Sequence, residues 1–190
     1  MKDITNEEKG YAKINLALHV TGIQADGYHA LDSIVVFTDV FDRLFFKRSL
    51  KNVVTLTGEF SGSINVQENS ILQALKLFGN GLTDRFSINL EKNLPIGAGL
   101  GGGSADAAAV IRFITNNSKH LMPSSEALSK IGADIPACVL SVASRVGGIG
   151  EIVRPLDMSE INLWVVLVNP DIFVSTGSIF EEVTENIINH

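Results

Sequence analysis

The feature that most constrains this chain is a glycine cluster between a strand pattern and a helix pattern. Five of the 17 glycines fall between residues 97 and 103: Gly97, Gly99, Gly101, Gly102 and Gly103. Residues 85–91 alternate apolar and polar, which predicts a half-buried strand, and residues 104–115 have apolar positions at helical spacing. Glycines allow positive φ and let peptide N–H groups surround an anion at a helix N-terminus. The pattern therefore predicts a phosphate-binding loop rather than a flexible linker.

Several known phosphate loops do not fit this cluster. Residues 97–102 match the spacing G-x-G-x-x-G, but the strands before them look antiparallel and Pro95 stands at the strand exit, which disfavours a dinucleotide fold. No lysine follows the glycines as in a Walker A loop, and no protein-kinase motifs follow. Asp106 is the only charged residue between Leu94 and Ile111. Backbone amides and the helix dipole must therefore supply most of the anion binding.

The remaining pattern predicts an α+β chain. Strands are expected at Ala12–Val20, Ser33–Thr38, Arg43–Lys47, Val53–Thr57 and Arg85–Glu91. Helices are expected at Ile71–Phe78, Ser104–Thr115, Ser125–Ile131 and Ile135–Ala143. After Pro155 we expect a buried strand at Leu163–Val168 and a helix from Ser178. The change in sequence pattern after Pro155 predicts a domain over residues 1–155 and the beginning of a second, truncated domain over residues 156–190.

Composition and charge exclude several classes of protein. The 190 residues are 45% hydrophobic, which excludes an intrinsically disordered chain. The net charge of −6 argues against non-specific nucleic-acid binding, although a local phosphate site needs no net positive charge. There is no signal-peptide pattern and no apolar run of the ~18 residues that a membrane helix needs. Cys138 is the only cysteine, so we expect a soluble, cytoplasmic protein in a reducing compartment.

Lys13 and Asn15 are candidate functional residues on the first strand. They are two residues apart and therefore share one face, about 6.6 Å from each other. That face also carries Ala17 and His19, and the opposite face is apolar, with Leu16 among its residues. The alternation predicts that the apolar face is buried, so the two polar residues either belong to a site or to a solvated edge.

Asp134 is the third candidate. It is the only charged residue in the stretch from Gly132 to Ser144. An isolated carboxylate of this kind is either a helix cap or a positioned base. Tyr28 and His29 follow a predicted turn at Asp26-Gly27 and could stack on a base and hydrogen-bond to it.

Four segments resemble motifs of the GHMP kinases, the family that includes galactokinase, homoserine kinase, mevalonate kinase and phosphomevalonate kinase. The glycine segment LPIGAGLGGGSAD at residues 94–106 resembles their second motif. The run AKINLALHVTGIQADGYH at residues 12–29 resembles the signature of the branch of this family that phosphorylates a cytidine-diphosphate-linked methylerythritol. IGADIP at 131–136 is a third match, and residues 147–151 are a weaker fourth.

The resemblance implies a two-domain GHMP-kinase fold and ATP-dependent phosphorylation of the substrate's 2-hydroxyl in non-mevalonate isoprenoid synthesis, with Mg²⁺ accompanying ATP. It implies Lys13 and Asp134 as catalytic residues. It implies substrate contacts at Asn15, Tyr28, His29, Thr176 and Phe180. On the ATP side it implies Asn69, Lys92, Pro95, Gly97, Gly99, Leu100, Gly101, Gly102, Gly103, Ser104, Ala105 and Asp106.

The chain departs from the family pattern in two respects. Thr176-Gly177 stands where the family has Thr-Pro. The chain is also shorter than the two-domain members of the family. The alternatives are therefore a nucleotide-binding fragment without catalysis, another GHMP small-molecule kinase, or a dinucleotide oxidoreductase.

Overall fold

The structure is a computed structural model that describes residues 6–25, 27–63, 70–79, 82, 84–170, 172, 179–180 and 182–183. Within these residues, one mixed sheet carries helices on its buried face. The strands are β1 (Asn6–Ile23), β2 (His29–Ser49), β3 (Val53–Thr57), β4 (Arg85–Glu91), β5 (Ser144–Gly148) and β6 (Ile152–Pro155). The helices are α1 (Ser70–Leu77), α2 (Gly102–Asn117), α3 (Ser125–Ser129) and α4 (Ile135–Leu140). The predicted α+β class is confirmed.

The long strand β2 organises the sheet. One of its edges pairs antiparallel with β1 along most of its length. Its other edge is shared: residues 31–35 pair with β5, and residues 43–49 pair with β4. β3 extends the sheet parallel to β4, and β6 extends it antiparallel to β5. Residues 36–42 of β2 therefore have no strand partner on this second edge among the described residues.

Helix α2 fills the centre of the core. Its first turns are rich in buried alanines, so the backbone can approach the sheet closely, and its later turns bury larger side chains. Phe113 stacks on Phe46 of β2, with ring centroids 3.8 Å apart. Because every position from Ala105 to Ile114 except Arg112 is buried, the helix packs firmly on the sheet and its N-terminus is held in a fixed place.

Most of the predicted elements are confirmed, with shifts at their ends. The strands at Val53–Thr57 and Arg85–Glu91 have the predicted bounds, and the two runs between residues 33 and 47 join into the single strand β2. All four predicted helices are present. The strands β5 and β6 were not predicted, because Gly147 and Gly148 look like a chain break in the sequence.

The prediction of which face of the first strand is buried was wrong. Lys13 lies only 5% exposed, whereas Leu16 and Leu18 are 45% and 47% exposed. Three register shifts interrupt the pairing of β1 with β2, one of them between Asn15 and Ala17. Each such bulge reverses the facing of the residues that follow, so simple alternation cannot assign the buried side.

The predicted buried strand at Leu163–Val168 was also wrong. These residues have no regular structure, and Trp164 is 99% exposed. No strand among the described residues pairs with this segment, and an isolated extended segment has nothing to satisfy its backbone groups or cover its side chains. The start of the predicted final helix, Ser178, lies outside the described residues.

Among the described residues, none of the helices is long and apolar enough to cross a bilayer.

Candidate active site

The glycine loop runs from the end of β4 to the first turn of α2. Gly97, Gly99 and Gly101 have φ values of 69°, 73° and 65°, which side chains with a Cβ adopt only with strain. Gly101 is also the N-cap residue of α2. A Cβ at Gly101 would lie 3.3 Å from Cε of Lys13 and 3.5 Å from Oδ2 of Asp134. The positive φ therefore favours glycine at this position, and a Cβ here would press on the side chain of Lys13.

Lys13 and Asp134 form an ion pair beside this glycine. The Nζ atom of Lys13 lies 3.2 Å from Oδ1 of Asp134, and the backbone N–H of Lys13 donates to the carbonyl of Leu100 at 2.9 Å. These contacts bring the predicted residues of β1, the loop and the start of α4 together at one point. The sequence motifs around residues 13, 101 and 134, far apart in the chain, thus build a single site.

A chain of polar contacts fixes the lysine. Lys13 donates to Oδ1 of Asn15 at 2.6 Å, so the two side chains share a face as predicted. Asn15 in turn donates to Oγ of Ser33 at 2.7 Å, and Ser33 donates to the carbonyl of Ala17 at 2.7 Å. The alternative of a solvated strand edge is wrong for these residues, because Lys13 is buried and its ammonium has two oxygen partners.

Asp134 occupies a helix N-cap position, but its side chain does not cap the helix. It precedes the first residue of α4, yet its carboxylate accepts no N–H from that helix. The side chain is 40% exposed, while that of Lys13 is 6% exposed. The carboxylate therefore has one side on the ammonium and another open to an incoming ligand.

Below the loop, Lys92 lies between two buried carboxylates. Its Nζ contacts Oδ2 of Asp42 and lies 2.8 Å from Oδ2 of Asp106. Oδ1 of Asp42 accepts the backbone N–H groups of Asn93 and Leu94, at 2.6 and 2.8 Å. All three charged side chains are at most 4% exposed. The predicted ATP-side residues Lys92 and Asp106 thus face the interior and anchor the loop to β2 at its unpaired edge.

The three charges do not balance, and this alters the pKa values. Burial alone would lower the pKa of Lys92, but the carboxylates of Asp106 and Asp42 outweigh it and raise the pKa. Burial raises the pKa of Asp106 to about 7, with Lys92 opposing the rise and Asp42 adding to it. Oδ1 of Asp106 has no hydrogen-bond partner among the described residues. Asp106 is therefore the carboxyl group that takes up a proton.

We expect the stability of the protein to fall as the pH rises from about 4 to about 7. In this range the carboxyl group of Asp106 stays protonated in the folded protein but ionises in the unfolded chain. Its contribution to the free energy of unfolding is therefore complete below its unfolded pKa and is lost as the pH rises to its folded pKa. Urea unfolding at several pH values measures this slope. D106N should flatten the curve, and the control E160Q, which removes an exposed carboxylate, should leave it unchanged. A D106N curve as steep as that of the wild type would contradict the assignment.

The predicted substrate residues at the β1–β2 hairpin also come together where they are described. His29 lies with its ring 5.3 Å from that of Phe180, and its Nε2 is 3.1 Å from the carbonyl oxygen of Val183. Tyr28 precedes His29 and is 61% exposed. An exposed aromatic side chain can bind a planar base by stacking.

The other predicted residues fall into two groups. Asn69 and Thr176 lie outside the described residues. The loop and the first turn of α2 contain Pro95, Leu100, Gly102, Gly103 and Ser104. Ala105, which follows them, is buried. A Cβ at Gly103 would lie 3.6 Å from Oγ of Ser70, which places the start of α1 beside the loop.

Sequence analysis missed Asp42. It lies in β2 on the same face as the buried residues Leu44 and Phe46, so a carboxylate interrupts a period-two series of core positions. A charge at such a position requires a buried partner. This was the available signal, but the sequence could not show that the partner was Lys92.

Comparisons with known proteins find similar sequences. Residues 69–150 match the family model of the GHMP kinases N terminal domain. The chain is 41% identical over 171 residues to 4-diphosphocytidyl-2-C-methyl-D-erythritol kinase of Cereibacter sphaeroides, covering 90% of this chain and 60% of the relative. It is 44% identical over 188 residues to the protein of the same name from Rhizobium johnstonii, covering 94% and 61%.

A solved structure shows the same fold. The crystal structure of a 4-(cytidine 5′-diphospho)-2C-methyl-D-erythritol kinase superimposes with a TM-score of 0.72 and 28% identity, covering 95% of this chain and 65% of that one. The predicted GHMP-kinase fold is therefore confirmed. The chain spans about 60% of the length of the curated relatives it matches.

Proposed function

We propose that this chain, whose residues 69–150 match the family model of the GHMP kinases N terminal domain, transfers the terminal phosphoryl group of ATP to a hydroxyl group of a small molecule. One observation carries the proposal: the Lys13–Asp134 pair lies against Gly101, where the glycine loop meets α2. Phosphoryl transfer depends mainly on positioning and on neutralising charge. A loop of free N–H groups beside an ammonium–carboxylate pair supplies both.

In this reaction Asp134 accepts the proton of the attacking hydroxyl. Its carboxylate is partly exposed and so is accessible to a substrate oxygen, as a general base must be. Lys13 holds this carboxylate in place and offsets negative charge on the reacting oxygens. Asn15 orients the lysine by accepting one of its N–H groups.

The glycine loop and the start of α2 bind the phosphates of ATP. The first N–H groups of a helix have no partner within the helix, and the positive end of its dipole favours anions. Mg²⁺ would accompany ATP and neutralise phosphate charge. Among the described residues, no group of three or more His, Cys, Asp or Glu side chains could hold it. Lys92, Asp42 and Asp106 keep the loop in position from below.

The acceptor that fits best is 4-diphosphocytidyl-2-C-methyl-D-erythritol, phosphorylated on its 2-hydroxyl in isoprenoid synthesis. The relatives named above support this choice. The contact between His29 and Phe180 and the exposed ring of Tyr28, next to His29 in the sequence, also support it, because they offer hydrogen bonding and stacking to a cytosine. The division into domains at residue 155, where β6 ends, remains a prediction. The cytoplasmic location also remains one, resting on the single cysteine and on ATP as a substrate.

A substrate panel tests this proposal. The protein is incubated with ATP and Mg²⁺ plus the cytidine-diphosphate substrate, mevalonate or homoserine, and ADP release is measured. ADP release with the first compound alone is expected. Equal turnover of all three would contradict the substrate assignment. Since the chain spans about 60% of its relatives' length, calorimetry with ATP is run in parallel: binding without turnover would favour a nucleotide-binding module instead.

A further inference from the structure

Arg112 links the two elements that carry the Lys13–Asp134 pair. It lies in α2, away from the glycine loop, with a side chain only 18% exposed. Its Nη2 donates to the carbonyl of Lys9 at 2.6 Å, and its Nε donates to Oε2 of Glu8 at 3.1 Å. These two contacts attach the guanidinium to β1, four residues before Lys13.

The same guanidinium holds the C-terminal end of α4. Its Nη1 donates to the carbonyl of Cys138 at 2.8 Å and lies 3.4 Å from Oγ of Ser141. Ser141 ends the helix in the left-handed region and also donates to the Cys138 carbonyl, at 2.6 Å. Free carbonyl groups at a helix end need such donors, and a cation there also favours the helix dipole.

The short length of α4 makes this contact important for Asp134. The helix spans six residues, from Ile135 to Leu140, and Asp134 is its N-cap residue. At about 1.5 Å of rise per residue, Asp134 is only about 6 Å from Cys138 along the axis. A helix this short moves as one unit, so a shift at its C-terminal end becomes a shift of the Asp134 carboxylate.

We propose that Arg112 is a positioning residue that fixes the distance between Asp134 and Lys13 by clamping α4 to β1. This inference rests on the proposed phosphoryl transfer, in which these two side chains act together. The planar, forked guanidinium reaches Lys9, Glu8 and Cys138 at once, which a lysine ammonium cannot do. Among the described residues, Arg112 forms no hydrogen bond or ion pair with either partner of the pair.

Two variants and one control test the proposal. R112L removes the clamp, and R112K keeps the charge without the fork. F113L is the control. It changes the neighbouring position of α2 and weakens the packing against Phe46, but it leaves the contacts of Arg112 with α4 and β1 in place. All are assayed well below their unfolding temperatures, so that the folded fraction is the same.

For R112L we expect kcat to fall by about 10-fold or more, since small misplacements of reacting groups are costly, while the KM for ATP changes by less than about two-fold. R112K should fall between R112L and the wild type. F113L should lose stability but keep its kcat. A kcat of R112L equal to that of the wild type, or an equal loss in F113L, would overturn the proposal.

Cys138 provides a readout that does not depend on activity. Its thiol is buried, and burial, with a smaller contribution from Asp134, raises its pKa, so it should react slowly with a thiol reagent such as dithiobis(nitrobenzoate). Loosening α4 in R112L should raise the reaction rate by about 10-fold, but F113L should not. Equal rates in R112L and the wild type would count against the clamp.

A crystal structure of R112L separates this inference from the proposed function. If the wild-type protein transfers no phosphoryl group, the proposed function fails, but the distance between Lys13 Nζ and Asp134 Oδ1 still decides the positioning role. A distance that stays near the 3.2 Å of the wild type would refute it. A separation that breaks the ion pair would support it.

Discussion

Replacing Asp134 with asparagine is expected to reduce phosphoryl transfer by about 100-fold or more while leaving ATP affinity nearly unchanged. The amide has the size of the carboxylate and its oxygen can still accept from Lys13, but it cannot take up the proton of the attacking hydroxyl. Because the side chain is 40% exposed, the substitution should have little effect on folding. Steady-state kinetics and calorimetry with ATP measure the two effects separately.

The matched control for this variant is D157N, which removes one exposed carboxylate outside the site. It should keep full activity and ATP affinity. If D134N also keeps full activity, Asp134 is not the base. If instead D134N loses ATP affinity in proportion to its rate, the carboxylate serves nucleotide binding and not proton transfer.

Replacing Lys92 with methionine is expected to lower the free energy of unfolding by about 3–5 kcal/mol. The substitution keeps the length of the side chain, but it leaves the carboxylates of Asp42 and Asp106 buried without a cation. Urea unfolding at pH 7 measures the loss. It should be smaller at pH 5, where protonation removes part of the uncompensated charge.

Two further variants define the origin of this effect. K47M removes an exposed lysine from the same sheet and should change stability by about 0.5 kcal/mol or less. Adding D106N to K92M should recover part of the loss, because the amide carries no charge at any pH, whereas Asp106 can still ionise near pH 7. A loss in K92M no larger than that in K47M would mean that the buried charges do not hold the loop in place.

The sequence was most informative where a local rule has few solutions. The five glycines between residues 97 and 103 predicted a phosphate loop, and three of them have the positive φ that only glycine adopts readily. Asp134, isolated in an apolar stretch, was predicted to be either a cap or a base. It lies at the N-cap position of α4 without capping the helix, and its carboxylate pairs with Lys13.

The sequence was least informative where distant residues decide the structure. The bulges of β1 depend on its pairing with β2, so the burial of Lys13 could not be read from alternation. The partners of Asp42 are fifty positions away in the chain, and those of Arg112 lie on two other elements. An apolar run such as residues 163–168 predicts a strand only if another strand is available beside it.

The residues proposed to bind phosphate and those proposed to bind the acceptor lie on two different parts of the chain. Both β4 and β5 pair with the same edge of β2, and the segment between them contains the glycine loop, α2 and Asp134. The hairpin of β1 and β2 contributes Lys13 at its middle and Tyr28 at its far end. If the proposed function holds, substitutions at the tip of the hairpin would change which acceptor is recognised, whereas phosphate binding by the segment between β4 and β5 would stay unchanged.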